Sequence, residues 1–153
     1  MNAEHHYSVT VEWQGNRGTG TSGYRDYSRQ GVIRAEGKIE LPSSADRTFH
    51  GDRDRWNPEE LLLAALAECH MLSYLHVAVQ HGVVVTAYED AAVGTMQQAG
   101  QGGRFTEVTL RPVVTLADPG QAELANGLHH EASEHCFIAQ SVNFAVLHEP
   151  RAQ

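Results

Sequence analysis

Two cysteines are the residues of this chain best suited to chemistry, because a thiolate is both a nucleophile and a reversible redox centre. Cys69 lies in a long apolar segment that opens with Asn57-Pro58-Glu59-Glu60, and Cys136 follows a later helical segment. A cysteine buried alone has a raised pKa and is inert, so a reactive Cys69 needs a cation nearby. Arginine suits this role because it stays charged at any relevant pH and a carboxylate can hold its guanidinium in place. These residue types point to a site made of cysteine, arginine and glutamate.

Each of these residues also has a simpler interpretation. A free cysteine packs as a small hydrophobic residue, and Glu59 could serve only as a first-turn acid that is favourable to the helix dipole. The combination of two cysteines, the Glu59-to-Cys69 spacing and a supply of arginines favours catalysis over packing for Cys69 and Cys136.

Arginine is concentrated in the first 55 residues of the chain, where seven of the ten arginines lie. Arg17 stands in Gly15-Asn16-Arg17-Gly18, which reads as a hairpin turn, and Arg25 and Arg29 are alternatives for the cation beside Cys69. Tyr24 and Tyr27, together with Arg25 and Arg29, could line the mouth of a substrate site, although cross-strand packing explains them equally well.

Ten histidines raise the alternative of a metal site, for which the candidate ligands are Cys69, His70, His76, His129, His130, His135 and Cys136. None of these residues forms a set at metal-ligand spacing. His70 and His76 fall on largely opposite sides of a helix, and the adjacent His129 and His130 diverge. We therefore expect no metal and no cofactor.

Composition limits the class of protein. The 153 residues are 41% hydrophobic, enough for one domain over 1–153, and the net charge of -8 argues against nucleic acid or an anionic membrane as partner. The first seven residues lack the pattern of a signal peptide, and no apolar run reaches the roughly 20 uninterrupted residues of a membrane helix. We expect a cytoplasmic protein, in which a disulfide between the two cysteines would be transient and catalytic.

The order of elements predicts the fold class. Residue patterns predict strands or strand-like pieces at 7–13, 24–29 and 31–41, a surface loop at 42–56, a helix from Pro58 to Val79 ended by Gly82, a hairpin with arms at 83–96 and 104–116, a second helix from Asp118-Pro119, and a last strand through 142–146. This order indicates an α+β fold with an antiparallel sheet and two helices, of which the first is apolar on every side and therefore central and buried.

The spacing between Glu59 and Cys69 bears on assembly. Ten residues on an unbroken helix correspond to about 15 Å of rise and a rotation mismatch of roughly 80°, so the two side chains cannot touch. If both belong to one site, either the helix breaks between them or Glu59 comes from a partner subunit. The apolar character of the helix favours the second alternative, a homodimer.

The Asn57-Pro58-Glu59-Glu60-Leu61-Leu62 motif, with Cys69 ten residues after Glu59 and Cys136 in Ser133-Glu134-His135-Cys136-Phe137, resembles the osmotically inducible protein and organic hydroperoxide resistance (OsmC/Ohr) family. The resemblance implies an interlocked homodimer with its sites at the interface, a thiol peroxidase activity on organic hydroperoxides, and recycling by a dithiol reductant. It implies that Cys69 attacks the peroxide, that Cys136 resolves the sulfenic acid, and that Glu59 orients the arginine, for which we choose Arg17. Two departures stand out, because Phe137 replaces a proline of the better-known branches and His70 replaces what is often an aromatic residue.

Two other functions remain open at the level of sequence. One is a non-catalytic dimer on the same fold that binds or senses a small apolar ligand. The other is thiol-disulfide oxidoreduction, against which the absence of a Cys-x-x-Cys pair argues.

Overall fold

The computed structural model describes residues 2–153. The chain divides into two compact units, an N-terminal unit that ends at Leu61 and a C-terminal unit from Leu62 to Gln153. Two α-helices and nine strands within the described residues make a mixed α+β fold, so the predicted fold class is confirmed. The description of 1–153 as one domain stays a prediction.

The N-terminal unit contains a three-stranded antiparallel sheet in the order β1-β2-β3, with β1 at Thr10–Trp13, β2 at Gly31–Arg34 and β3 at Leu41–Ser43. The turn predicted after β1 is present, because the Asn16 side chain accepts hydrogen bonds from the backbone N–H groups of Gly18 (2.9 Å) and Gly20 (3.0 Å). In the strand-like piece predicted at 24–29, residues 24–26 form a turn and a bend, whereas Tyr27 makes an isolated antiparallel bridge with Asn16.

The predicted loop before the first helix contains β3 and one 3-10 turn, Arg47–Phe49, which Asp46 caps. Helix α1 then spans Pro58–Gln80. The Asn57 side chain caps it by accepting a hydrogen bond from the Glu60 N–H at 2.8 Å, as the motif predicts. Gly82 follows with φ of 69°, a left-handed conformation that ends the helix at low cost.

Helix α1 is continuous, so the alternative of a break between Glu59 and Cys69 is wrong. By length and apolarity it would qualify as a membrane-spanning segment, with mean hydropathy of 1.5 over 18 residues, and 28% of that window is buried. The fully buried residues of α1 lie four, three and one positions apart, as a helix packed on a protein core requires; they are Leu66, His70, Tyr74, Val77 and Ala78.

The C-terminal unit contains two three-stranded sheets, in the orders β4-β7-β9 and β5-β6-β8. Their strands are β4 (Val85–Asp90), β5 (Val93–Ala99), β6 (Gly102–Leu110), β7 (Pro112–Leu116), β8 (Ala145–His148) and β9 (Arg151–Ala152). The predicted hairpin is formed by β5 and β6 around Gly100. The single return arm predicted at 104–116 is two strands, since the chain passes from one sheet to the other at Arg111.

The sheets are not antiparallel throughout. Strand β8 runs parallel to β6, and β9 runs parallel to β7. A parallel pair needs a long connection, and the chain between β7 and β8 supplies one that includes helix α2 (Ala122–Glu134). Helix α2 follows a 3-10 turn at Pro119–Gln121, which is capped by Asp118 as the Asp-Pro pattern predicts.

Helices α1 and α2 position the core of the C-terminal unit. One buried cluster joins Tyr74, Val77 and Ala78 of α1 to Ala125, Leu128 and Ala132 of α2, with Val114 and Leu116 of β7 beneath them. A second cluster groups Leu66 of α1 with Val108 and Leu110 of β6. The C-terminal third of α1 is therefore packed along α2.

Candidate active site

The two cysteines, far apart in sequence, meet in the C-terminal unit. Both are free thiols, and the side chain of Cys69 is within hydrogen-bonding reach of Cys136. Cys69 is half-buried on α1, whereas Cys136 is 1% exposed, just beyond the end of α2. Two neighbouring reduced thiols, one accessible and one enclosed, are candidates for disulfide formation.

Cys136 is held as a neutral thiol. Burial raises its pKa to about 11, and a hydrogen bond with Cys69 adds to the increase. The Ala139 N–H donates to the Cys136 sulfur at 3.5 Å and partly opposes this effect. Cys136 therefore keeps its proton at neutral pH and is a poor first nucleophile, because the thiolate is the reactive form.

Cys69 opens onto a shallow groove of about 560 Å³ on the surface of the C-terminal unit. Leu72 and Phe137 line the groove and are 57% and 77% exposed. Ser73 and His76 follow Cys69 at helical spacing and form the rest of its α1 wall. The groove thus offers an apolar surface directly beside an accessible sulfur, and Phe137, one of the two departures noted above, is part of it.

The predicted arginines and tyrosines gather in the N-terminal unit. Arg17, Tyr24, Arg25, Tyr27 and Arg29 line one recess of about 510 Å³. The Arg29 guanidinium lies 5.0 Å from the Tyr24 ring centre and 4.2 Å from that of Tyr27, and it donates to the backbone oxygens of both residues. The grouping predicted for the substrate mouth exists, but Arg29 is engaged by its neighbours.

Arg17 and Arg25 make no ion pair among the described residues, in contrast to Arg34 of the same unit, which is paired with Glu12 and Glu40. Glu59 at the start of α1 is half-buried, and its Oε2 atom is buried without a hydrogen-bond partner in residues 2–153. A buried carboxylate oxygen without a donor is costly, so this atom calls for a cationic partner. Contact of any arginine with Glu59 or Cys69 stays a prediction.

Sequence reasoning missed a cluster of three histidines in the C-terminal unit, in which His70 of α1 and His129 of α2 are buried and His148 of β8 is half-buried. His70 Nε2 and His129 Nδ1 share a hydrogen bond of 2.9 Å, and the His70 and His148 ring centres are 4.4 Å apart. The Tyr74 ring stacks on His129 at 4.0 Å. Helical spacing was the available signal, since His70 and Tyr74 are four apart on α1 and both are fully buried.

Burial keeps these imidazoles neutral. It lowers the pKa of His70 to about 3, with His148 and His129 adding to the effect, and it lowers the pKa of His129 to about 4, with a contribution from His148. The pKa of His148 is lowered too, by burial and by His130. Over residues 2–153, no three His, Cys, Asp or Glu side chains converge in a geometry that could hold a metal ion.

Comparison with known proteins places this geometry in context. The uncharacterized protein YmaD of Bacillus subtilis is 25% identical over 143 residues, which are 92% of this chain and 88% of YmaD. An OsmC-like protein of unknown function from Vibrio cholerae has a similar structure, with a TM-score of 0.83 and 30% identity over 96% of this chain and 99% of its own.

An organic hydroperoxide resistance protein from Elizabethkingia anophelis, with thiocyanate bound from the crystallant, shares the fold at a TM-score of 0.70 and 17% identity, over 99% of this chain and 100% of that one. The family model for OsmC-like proteins matches residues 50–150, a span that includes the Asn-Pro-Glu-Glu motif and both cysteines. The chain therefore belongs to the OsmC-like family, as its motif and cysteine pattern predict.

Proposed function

We propose that this protein is a thiol peroxidase that reduces organic hydroperoxides, with hydrogen peroxide as a second candidate substrate. The observation that carries the proposal is the contact between two reduced cysteines, with Cys69 accessible and Cys136 enclosed and protonated. Membership in the OsmC-like family supports a redox role related to peroxides, and proteins named for organic hydroperoxide resistance share the fold.

The chemistry divides between the two sulfurs. The Cys69 thiolate attacks the distal oxygen of ROOH, the O–O bond breaks, and the alkoxide leaves as ROH after taking up a proton, so Cys69 becomes a sulfenic acid. The Cys136 sulfur then attacks the sulfenic sulfur, and the departing hydroxyl leaves as water with the proton of Cys136. An external dithiol reduces the disulfide and becomes a disulfide itself, so the cycle needs no cofactor.

Arg17 is proposed as the cation that stabilises the Cys69 thiolate and the departing oxygen, and Glu59 as the carboxylate that orients it. Arg17 has no ion-pair partner among the described residues, and Glu59 Oε2 is buried without a hydrogen-bond donor. The guanidinium of Arg17 could supply that donor, and the carboxylate of Glu59 could serve as its ion-pair partner. Arg25 and Arg29 line the same recess as Arg17 and are proposed, with Tyr24 and Tyr27, to contact the substrate.

Organic hydroperoxides are the proposed substrate class because of the surface beside Cys69. Leu72 and Phe137 present an apolar wall on which an alkyl or aryl group would bury surface while its peroxide reaches the sulfur. Hydrogen peroxide has no such group and would gain nothing from this wall.

A homodimer with sites at the subunit interface is proposed on the character of α1. Only 28% of its most apolar window is buried in one chain, and Val79 is 78% exposed. The unbroken helix also keeps Glu59 and Cys69 of one chain ten residues apart, so a partner subunit would have to supply one of them. We further propose a cytoplasmic protein with no nucleic acid or membrane partner, in keeping with its net charge of -8.

The test is consumption of cumene hydroperoxide with dithiothreitol as reductant. We expect turnover by the wild type and its complete loss in Cys69→Ser. Cys136→Ser should still consume one equivalent of peroxide and accumulate a sulfenic acid that a dimedone-type reagent traps, because only the resolving thiol is missing. Ser73→Ala, a change in the same groove that removes no sulfur, is the matched control and should retain activity.

The same assay separates the proposal from its alternatives. Turnover that survives Cys69→Ser would refute the peroxidase mechanism. If the wild type consumes no peroxide but binds a small apolar ligand, it is a binding or sensing protein. Mass spectrometry after one equivalent of peroxide should show an intramolecular disulfide, whereas intermolecular adducts alone would indicate thiol-disulfide oxidoreduction.

A further inference from the structure

Two histidines of the cluster lie close in sequence to the two cysteines. His70 directly follows Cys69 on α1, and His129 lies on α2 two turns before Cys136. The hydrogen bond between His70 Nε2 and His129 Nδ1 joins side chains 59 residues apart and is fully enclosed, with the two residues 0% and 3% exposed. It is therefore a direct polar link between the two segments that carry the reacting sulfurs.

The link is geometrically specific in a way that apolar packing is not. The two imidazole rings are nearly parallel, with an interplanar angle of 17°, and the Tyr74 ring stacks on His129 while its hydroxyl donates to the Ala125 backbone oxygen at 2.9 Å. A buried hydrogen bond fixes both distance and rotation, whereas aliphatic contacts tolerate sliding. The position of α2, and of Cys136 after it, is thus fixed against α1.

This arrangement also has a cost in stability. His70 Nδ1 and His129 Nε2 are both buried and have no hydrogen-bond partner within residues 2–153. Whichever tautomers are present, polar nitrogens remain unsatisfied, which a pair of aromatic hydrocarbon side chains would avoid. A costly polar pair beside a reactive thiol suggests a role beyond packing.

We propose that His70 and His129 are positioning residues for the disulfide step, that they hold Cys136 against Cys69, and that protonation of this pair, which places an unbalanced positive charge between α1 and α2, loosens their packing and slows resolution. The inference rests on the proposed peroxidase function. The step it concerns is the reaction of the Cys69 sulfenic acid with the Cys136 thiol, which forms the S–S bond and releases water.

The surroundings of the pair give the direction of the pH effect. The titratable groups that face it are Tyr74 on α1, His148 on β8, and, beyond His148, His130 on α2. None of these groups is an acid that would stabilise an added positive charge, and the cause of each imidazole's low pKa is burial first and neighbouring histidines second. The pair is uncharged at neutral pH and acquires a buried positive charge only in acid.

The experiment separates the two chemical steps after one equivalent of cumene hydroperoxide. Sulfenic acid formation is followed with a dimedone-type trap, and disulfide formation is followed by acid quenching and mass spectrometry. In His129→Phe we expect sulfenic acid formation within about twofold of the wild type and disulfide formation at least about tenfold slower at pH 7.5, because small misplacements of reacting groups carry large rate penalties.

His129→Gln tests the pH dependence, since glutamine can keep a hydrogen bond to His70 but does not titrate. We expect its disulfide step to be close to that of the wild type at pH 7.5. Between pH 7 and pH 4 the wild-type rate should fall at least about twofold relative to this variant, as expected for a group with a pKa near 4. Both proteins contain the same cysteines, so their ratio cancels the titration of the thiols.

His81→Gln is the matched control, because His81 Nε2 contacts Glu131 on α2 at 2.9 Å and is exposed. It removes an imidazole that contacts the same helix and should leave both steps unchanged. Equal disulfide rates in wild type and folded His129→Phe, or identical pH profiles in wild type and His129→Gln, would overturn the inference while leaving the peroxidase intact. A wild type that forms no sulfenic acid would overturn both, and the pH comparison decides the matter even if His129→Phe does not fold.

Discussion

The two units of the chain differ in the kind of chemistry they hold. The N-terminal unit contains seven of the ten arginines, and three of them line its recess together with two tyrosines, a serine, a histidine and an aspartate. The C-terminal unit contains both cysteines, and its polar interior includes neutral imidazoles and a protonated thiol. Most of the fixed positive charge and both redox-active thiols thus lie in different units. The proposed reaction needs both, because a nearby cation stabilises the thiolate form of a cysteine.

The largest expected effect concerns the arginines of the N-terminal unit. Arg17→Ala should lower kcat/KM for cumene hydroperoxide by about 100-fold, the usual consequence of removing one donor that stabilises developing negative charge. Steady-state kinetics with dithiothreitol measure it. Arg34→Ala is the control, since it removes the same charge from the same unit at a residue already paired with Glu12 and Glu40.

Arg25→Ala and Arg29→Ala sharpen the assignment. If either lowers kcat/KM more than Arg17→Ala does, the thiolate's cation is that residue and the choice of Arg17 is wrong. Arg29→Ala should also lower stability, because Arg29 lies against the Tyr24 and Tyr27 rings and bonds to their backbone oxygens.

The next effect concerns the neutral buried histidines of the C-terminal unit. His70 and His129 have pKa values of about 3 and about 4 in the folded protein, against about 6.5 when unfolded, so the unfolded chain binds more protons in between. Their stabilising contribution is complete above pH 6.5 and is lost as pH falls toward the folded values. Linkage predicts a loss of about 2 kcal/mol of unfolding free energy per histidine between pH 7 and pH 5. Urea denaturation at the two pH values measures it.

His70→Phe is the matched variant for this prediction. It keeps an aromatic ring of similar volume and removes one titrating group, so the difference in unfolding free energy between pH 7 and pH 5 should shrink by about 2 kcal/mol, the contribution of one histidine. An unchanged difference would show that the acid sensitivity arises from other groups and that His70 is not kept neutral by its surroundings.

The smallest effect concerns the start of α1. Asn57→Ala removes the acceptor for the Glu60 N–H and should cost about 1 kcal/mol of unfolding free energy, whereas Asn57→Asp keeps an acceptor and should cost little. Urea denaturation of both variants at pH 7 distinguishes them. Equal losses in the two variants would mean that the side-chain cap is not what stabilises this helix end.

The features of the fold that could be predicted are those set by residues close to one another in the sequence. The start and end of α1 were predicted because Asn57, Pro58 and Gly82 act within one helical turn. The split of the predicted 104–116 arm into β6 and β7 was missed, because alternation of apolar residues continues across Arg111 and gives no sign of which sheet each half joins. The parallel pairing of β8 and β9 depends on partners distant in sequence and was missed for the same reason.

For the candidate site, the sequence by itself determined which residues are capable of chemistry, namely Cys69, Cys136 and a set of arginines, since reactivity is a property of the residue type. Only the tertiary structure decided that the two cysteines are in contact and that His70 meets His129. Helical periodicity shows which face of a helix is buried but not what it is buried against, because the partner is selected by packing over the whole unit. The imidazoles are neutral for the same reason, as burial sets their pKa values.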